Sequence, residues 1–589
     1  MHEREFNLSL LAKEKQLVPL SSNGPKDVRV VIGYPNRYWL AMSNLGFQTV
    51  FKIFSAHSRL KVERAFLPEK DLSTCRTFES DTPLSSAEIL ALSVSFETDY
   101  LYVLYLLEQA GMDLNNPRES TGRPLILGGG AALTLNPEPL ANFFDAIVIG
   151  EGEEVIGEIT ECYLQSRDSG ESFSELLVRL AQLEGVYVPS LYDVEFNADN
   201  TIKRYIPNAT ESIPARINRR IVQDINKFPS YTVIQTPETE FKAMFMTETG
   251  RGCEVGCKFC VAGYMYRPTR KRSEESIKET LEIGLEKSES VGFVGAAVSS
   301  HRAITSLVKV VTDSGKRASL SSIMSQRVSP ELASGLSESE YKTVALAPEA
   351  GSEDLRFRIG KRVPDSQIVR AVETLAENGI RNFKLYLMVG LPSETDEDVR
   401  AIPALVATLR DAVLRGARRQ ENFTIAPKIY LSVNPFIPKA WTPFQRHTFL
   451  EMKELKRRLE IIRKAAAKLS GVEMKNESPR ESYFQVLVSR GDRRVGELLR
   501  EMYQRDEDWR WLVKHGDEQI LENVPPADFY VYRTFGKEEV MPWESVDLNI
   551  KRSLLEKLYE ETFTTDVQPV VERKIEYFNS KFDSLEVSV

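Results

Sequence analysis

The stretch Gly250-Arg251-Gly252-Cys253-Glu254-Val255-Gly256-Cys257-Lys258-Phe259-Cys260 constrains this chain more than any other. It puts three of the five cysteines within one short loop, spaced C-x3-C-x2-C, with glycines at 250, 252 and 256. Glycine reaches backbone conformations closed to other residues, so the loop can curl round a small object and turn three thiolates inward. Soft thiolates select zinc, copper(I) or an iron–sulfur cluster. A structural zinc site closes with four ligands, and the next histidine, His301, lies far downstream. An iron–sulfur cubane takes one thiolate per iron, so three cysteines leave one iron open for chemistry. A disulfide with a spare thiol, or three merely buried cysteines, are the plain alternatives, and the glycine punctuation suits neither.

At 589 residues the chain has room for two to four domains. Hydrophobic content of 42% and charge of 27% are those of an ordinary globular protein. A net charge of −9 weighs against a general nucleic-acid binder, a local basic patch aside. An odd number of cysteines, three of them clustered, is no extracellular disulfide framework. The start, Met1-His2-Glu3-Arg4-Glu5, is charged and unlike a signal peptide. No stretch reaches the ~18 uninterrupted apolar residues of a membrane span. The expectation is a cytoplasmic protein in a reducing compartment, without a membrane partner.

Residues 1–26 read as a polar extension. Over 27–184, apolar runs at 28–32, 89–94, 124–127 and 146–149 alternate with helical stretches. Three of these runs end in Gly33-Tyr34-Pro35-Asn36, Gly128-Gly129-Gly130 and Gly150-Glu151-Gly152-Glu153, a pattern that predicts an α/β domain with a doubly wound parallel sheet. Ligands of such sheets sit outside the carboxyl ends of the strands, although glycines there also serve tight turns. Residues 185–240 read as a β-hairpin connector, with a turn at 197–200 and Pro214, Pro229 and Pro237 after it. From 241 to 447 the alternation resumes, with strands at 241–246, 292–298, 318–323, 343–346, 383–389 and 428–433 and a helix at 273–287. The cysteine loop leaves the carboxyl end of the first of these strands. Residues 448–589 read as helix-rich: Phe449, Met452, Leu455, Leu459 and Ile462 recur at helical spacing until Gly471, and a second helix follows at 495–503.

The cysteine spacing, with an aromatic just before the last cysteine, resembles that of the radical S-adenosylmethionine (radical SAM) enzymes. The resemblance implies that Cys253, Cys257 and Cys260 hold a [4Fe–4S] cluster whose open iron is chelated by SAM, and that reduction releases a 5′-deoxyadenosyl radical. It implies a partial (β/α)6 barrel over 241–447, whose active site lies at the carboxyl ends of the strands. Phe259 would lie near the adenine, the alternative being a core aromatic. Many family members carry Gly-Gly-Glu after the second strand to hold the SAM amino group; this chain reads Ala296-Ala297-Val298-Ser299, where the Ser299 hydroxyl or a backbone carbonyl would accept. Glu349 and Ser352, in the run Ala347-Pro348-Glu349-Ala350-Gly351-Ser352, would hold the ribose and carboxylate, and Gly390 would lie beside the adenine. Glu349 alone would be no better than a salt-bridge partner. Arg356, Arg358 and Lys361 either pair with the SAM carboxylate or form a solvated helix face. The proline-stiffened loop 434–444 closes over substrate or caps the barrel. The basic run 267–272 meets a phosphate backbone, is a solvated loop, or balances the charge of the cluster and SAM.

A second resemblance concerns the first domain. Ser93-Val94-Ser95, the Gly128-Gly129 turn and the end at Glu151 are similar to the cobalamin-binding domain found ahead of many radical SAM cores. It implies that Ser93, Ser95, Gly128, Gly129 and Glu151 line a cobalamin site. The D-x-H-x-x-G loop that supplies a histidine in that domain is missing, and His57 lacks the motif, so either cobalamin binds without a protein histidine or the fold has lost it. Ser489-Arg490-Gly491-Asp492-Arg493-Arg494 recurs in large radical SAM proteins that pair these two domains, which extends the resemblance from residue 27 to about 550. The expected protein is a radical SAM enzyme that attacks an unactivated C–H bond of a small molecule, peptide or RNA. An electron donor such as ferredoxin or flavodoxin would feed it. With cobalamin the outcome would be methyl transfer to carbon; without it, a rearrangement or an RNA or peptide modification. Its rivals are methylthiotransferase-like sulfur insertion on RNA, which the cysteine-free C-terminus disfavours, and a cluster-bearing redox or iron sensor. No catalytic residue is assigned.

Overall fold

The structure is a computed structural model that describes residues 3–21, 23–70, 72–119, 122–208, 213–420 and 427–576. The chain folds into two compact units, and both are discontinuous: Met1–Met246 with Tyr483–Ile550, and Thr247–Ser482 with Lys551–Val589. Residues 448–589, expected as one C-terminal region, are therefore shared between them. Among the described residues no helix is long and apolar enough to cross a membrane.

The first unit is built on strands β1 (Val28–Gly33), β2 (Leu60–Ala65), β3 (Ile89–Ser93), β4 (Leu125–Gly129), β5 (Ala146–Val148) and β6 (Val186–Tyr187), in the order β2-β1-β3-β4-β5-β6. The first five are mutually parallel and β6 is antiparallel. Val28, Val30, Val31 and Ile32 are all fully buried, the mark of a central strand covered on both faces. Because β1 lies between β2 and β3, the sheet changes winding direction there, at the crevice where doubly wound folds take ligands. Three expectations need correction. The extension 1–26 is packed: Glu3–Leu11 is helical, Lys15–Gln16 pairs with Ile234–Gln235, and Leu10, Leu17 and Leu20 are buried. Strand β2 went unforeseen because Lys61, Glu63 and Arg64 break its apolar pattern; Arg64 is buried by pairing with Glu14 and Glu79, each at 2.7 Å. Strand β6 belongs to the first sheet, not to the connector, whose hairpin Tyr192–Phe196 with Ile202–Pro207 forms as expected.

The segment 489–494 is the polar core of this unit. Arg490 is fully buried, lies 4.0 Å over the Phe535 ring and donates to the Val531 and Arg533 carbonyls. Arg493 donates to the buried Glu138 at 2.9 Å, and Arg494 stacks on Phe196 while pairing with Asp492.

The second unit alternates strands and helices: β7 (Phe245–Glu248), β8 (Ser290–Val294), β9 (Arg317–Leu320), β10 (Thr343–Glu349), β11 (Asn382–Val389), β12 (Lys428–Pro435) and β13 (Val472–Lys475). They form a three-stranded sheet β7-β8-β9 and a four-stranded sheet β10-β11-β12-β13, each in chain order. Pairing is parallel from β8 to β9 and from β10 through β13. This is the expected βα architecture with two differences. Among the described residues no ladder joins β9 to β10, and β13, short and half-exposed, adds a seventh strand. Side-chain caps start the helices where the sequence places them: Ser273 accepts from Ser276 N–H, and Thr395 forms a capping box with Asp398.

Candidate active site

Strand β7 delivers the cysteine loop, and the loop is clamped at its base. Gly250–Arg251 pairs antiparallel with Arg270–Lys271. A Cβ on Gly250 would sit 2.6 Å from the Arg270 carbonyl, so this approach requires glycine. Arg251 and Arg272 both donate to Glu248; burial pushes that carboxyl up, yet the two guanidinium groups outweigh it and hold the group below its usual range. Within the basic run 267–272, the side chains of Arg267, Lys271 and Arg272 are engaged by the protein itself, while Pro268 and Lys271 remain exposed. Arg272 is buried on Glu248, Lys271 donates to the Ser300 carbonyl and to Glu254, and Arg267 donates to the Gly263 carbonyl and stacks on Tyr264.

Farther along, the Tyr264 hydroxyl donates to the Gly256 carbonyl at 3.2 Å and Lys258 N–H to the Ile359 carbonyl at 2.9 Å. All three thiols are free; Cys257 is buried and Cys253 and Cys260 half-buried. Burial pushes the Cys257 thiol up to about 12, with Cys260, Glu349 and Cys253 adding and Lys361 opposing. Burial also raises Cys260, where Glu349 and Cys253 again contribute. Cys257 and Cys260 therefore lie within the fields of Glu349, Lys361 and Cys253. Among the described residues no three His, Cys, Asp or Glu side chains converge as ligands of a single ion would. Three thiolates spread around a cubane need a wider span, and a soft, unpaired donor set of this kind fits it.

Glu349 ends β10 after an irregularity in the ladder and has φ 72°, a left-handed conformation rare outside glycine. Its carboxylate accepts from Lys361 Nζ at 3.0 Å. Burial pushes Glu349 up against the pull of Lys361, while Glu349 and the thiols keep the Lys361 pKa raised in spite of its burial. The expected solvated face at 356, 358 and 361 does not exist. Arg356 is fully buried and donates to the Ala350 and Gly351 carbonyls at 3.1 and 3.0 Å, which fixes the turn after Glu349. Arg358 pairs with Asp354.

Other expected contacts are engaged by the protein itself. Ser352 caps the helix Glu353–Arg358, accepting from Leu355 N–H, and donates its hydroxyl to Asp398. Ser299 lies beyond β8, on the single turn Val298–Ser300, and its buried oxygen accepts from Met324 N–H at 2.8 Å. Gly390 has φ 85°, donates its N–H to Glu394 at 2.7 Å and faces Leu450 and Leu455. Glu394 is pushed up to about 7 by burial despite Arg458 beside it. Phe259 packs on a cluster of Ala350, Leu355, Ile359, Leu391, Phe436 and Phe444. Since Phe436, Trp441 and Phe444 are buried, the loop 434–444 caps the barrel rather than standing open.

The first-unit residues do not fit a cobalamin cradle. Ser95 Oγ accepts from Asn44 at 3.0 Å. The buried Glu151 accepts from Val222 N–H at 2.7 Å. A Cβ on Gly130 or Gly150 would meet the Val94 or Arg220 carbonyl at 2.4 or 2.2 Å, so the chain's own backbone fills that space. Gly128 faces Phe144 and Leu133, and only Ser93 and Gly129, paired across β3 and β4, are half-buried without such a demand. The winding switch is bridged instead by Asn36 donating to Asp99 at 2.8 Å, a pair that no motif announced.

Residues 46–189 match the family model described as "Radical SAM proteins, N-terminal", and residues 247–406 match "Radical SAM superfamily". The chain is a radical SAM protein, of a superfamily whose members carry a [4Fe–4S] cluster and bind SAM, and the donor set at 253, 257 and 260 fits that cluster. A protein of Methanocaldococcus jannaschii described as uncharacterized is 26% identical over 472 residues, 80% of this chain and 90% of its own. Among solved structures, the cobalamin-dependent SAM radical enzyme OxsB is similar at 13% identity and a TM-score of 0.44, over 95% of this chain and 81% of that one. The radical SAM methyltransferase TsrM from Kitasatospora setae is similar at 14% identity and a TM-score of 0.43, over 72% and 76%.

Proposed function

We propose that this chain is an enzyme that cleaves SAM reductively and takes a hydrogen atom from an unactivated C–H bond. The observation that carries the reading is three unpaired thiols on one glycine-punctuated loop, two of which, Cys257 and Cys260, feel the buried Glu349–Lys361 pair. When bound, the cluster supplies one electron and SAM supplies the hydrogen-abstracting fragment. Cys253, Cys257 and Cys260 would hold three of four irons. Lys361 would meet a carboxylate and Glu349 would accept from hydroxyl groups, since each already holds the complementary charge in place. Arg356 would keep the Glu349 turn rigid, and Phe259, Phe436 and Phe444 would keep water from one side. A ferredoxin or flavodoxin would donate the electron, in a reducing compartment. Methyl transfer through cobalamin has less support, because the first-unit groups that would hold it are engaged elsewhere.

The test is spectroscopic and needs no substrate. Anaerobically reconstituted protein should hold about four irons per chain, and SAM should change the paramagnetic resonance of the reduced cluster. Released 5′-deoxyadenosine would complete the case. Zinc in place of iron would sink the reading outright, and a cluster whose resonance is indifferent to SAM would sink it in favour of the sensor.

A further inference from the structure

The tail helix Arg552–Thr564 belongs to the second unit although neither family model reaches it. It meets the cysteine loop from the side chain of Lys258, the residue between Cys257 and Cys260. Lys258 is buried, and its ammonium donates to Thr562 Oγ1 at 2.9 Å. Thr562 is fully buried, and its own hydroxyl donates to the Leu558 carbonyl, so the oxygen is oriented to accept. Arg358 donates to the Thr562 and Thr565 carbonyls at 3.3 and 3.4 Å. One turn earlier, Tyr559 packs on the cluster that contains Phe444 and touches Phe259, and its hydroxyl bonds His447 Nδ1 at 3.0 Å. Val567 and Val571 continue the contact on Phe357.

Lys258 is thereby held at three points: its N–H by the Ile359 carbonyl, its carbonyl by Phe444 N–H, and its side chain by Thr562. A buried ammonium stripped of its acceptor is costly, so this contact sets where the main chain between the two thiols can lie. We infer that Thr562, acting through Lys258, is a positioning residue for Cys257 and Cys260, and that the tail helix is part of the housing of the cluster. This rests on the proposed cluster site, but the decisive measurement needs no metal.

Hydrogen exchange at the Lys258 and Cys260 amides would be followed in the full-length, metal-free chain. Thr562→Val should speed exchange at both by about tenfold or more, while Thr562→Ser behaves as wild type and the amides of β1 stay unchanged. In the double variant Lys258→Met with Thr562→Val, the ammonium is gone and most protection should return. The reconstituted Thr562→Val protein should also lose iron in air faster than wild type. Unchanged loop exchange in Thr562→Val overturns the inference. So does a double variant no better protected than Thr562→Val alone. Should Thr562→Val not fold, a folded, protected double variant supports the inference and an equally unfolded one overturns it. A chain that shows this exchange pattern yet binds no iron would refute the proposed function and leave the loop contact standing.

Discussion

Both units end a set of parallel strands in glycine-rich turns, yet the two carboxyl edges differ in what their polar groups do. In the first, Asn36 answers Asp99, Asn44 answers Ser95 and Glu151 answers Val222 N–H. In the second, three thiols have no disulfide partner and Glu349 is held in a left-handed conformation beside Lys361. The same architecture therefore makes a closed edge in one unit and one that carries three free thiols in the other. Fold alone predicts neither; the side chains that the sequence places at each edge decide.

The contrast breaks most visibly if a thiol is removed. Cys257→Ala should abolish stable cluster binding and SAM cleavage, read as iron per chain and 5′-deoxyadenosine. Next comes the closed edge's own foundation. Arg493→Met leaves the buried Glu138 without its cation, which should cost about 3–5 kcal/mol, read from the denaturant midpoint of the first unit. Glu349→Gln should weaken SAM binding about 10–100-fold, the value of a charge-assisted hydrogen bond, in a titration followed by paramagnetic resonance.

A smaller effect comes from Asp99, whose carboxyl is pushed up to about 7 by burial, with Glu97 adding and Asn36 opposing. The fold keeps its proton to about pH 7, while the unfolded chain loses it near 3.8, so stability falls as pH rises through that window and stays reduced above it. Asp99→Asn should therefore stabilise the first unit by about 2 kcal/mol at pH 8 and leave it unchanged near pH 4. The smallest effect expected is none at all. Purified protein incubated with cobalamin should retain none of the absorption bands of cobalamin after desalting, and stoichiometric retention would erase the difference between the two edges.

What could be read in the sequence was what is contiguous in it. The cysteine loop needs only its own residues and glycines, and β1 and β3 announce themselves as unbroken apolar runs. Strand β2 was hidden because its Arg64 becomes acceptable only beside Glu14 and Glu79, which lie far away in the chain. Arg356 looked like a surface cation and proved to be the brace of the Glu349 turn, since its acceptors are carbonyls that carry no sequence signal. Ser352 could have been read correctly: a serine followed by Glu353 and Asp354 is a helix start. The allegiance of Tyr483–Ile550 to the first unit depends on buried arginines meeting Glu138 and backbone carbonyls, and no local pattern shows it.

The bond between Lys258 and Thr562 spans 304 residues. A ribosome adding ~5–20 residues per second needs roughly 15–60 s to travel that distance. During that interval the nascent cysteine loop has been made but lacks its clasp. On the role inferred for Thr562, the proposed cluster gains its clasped loop only once the tail helix has been made.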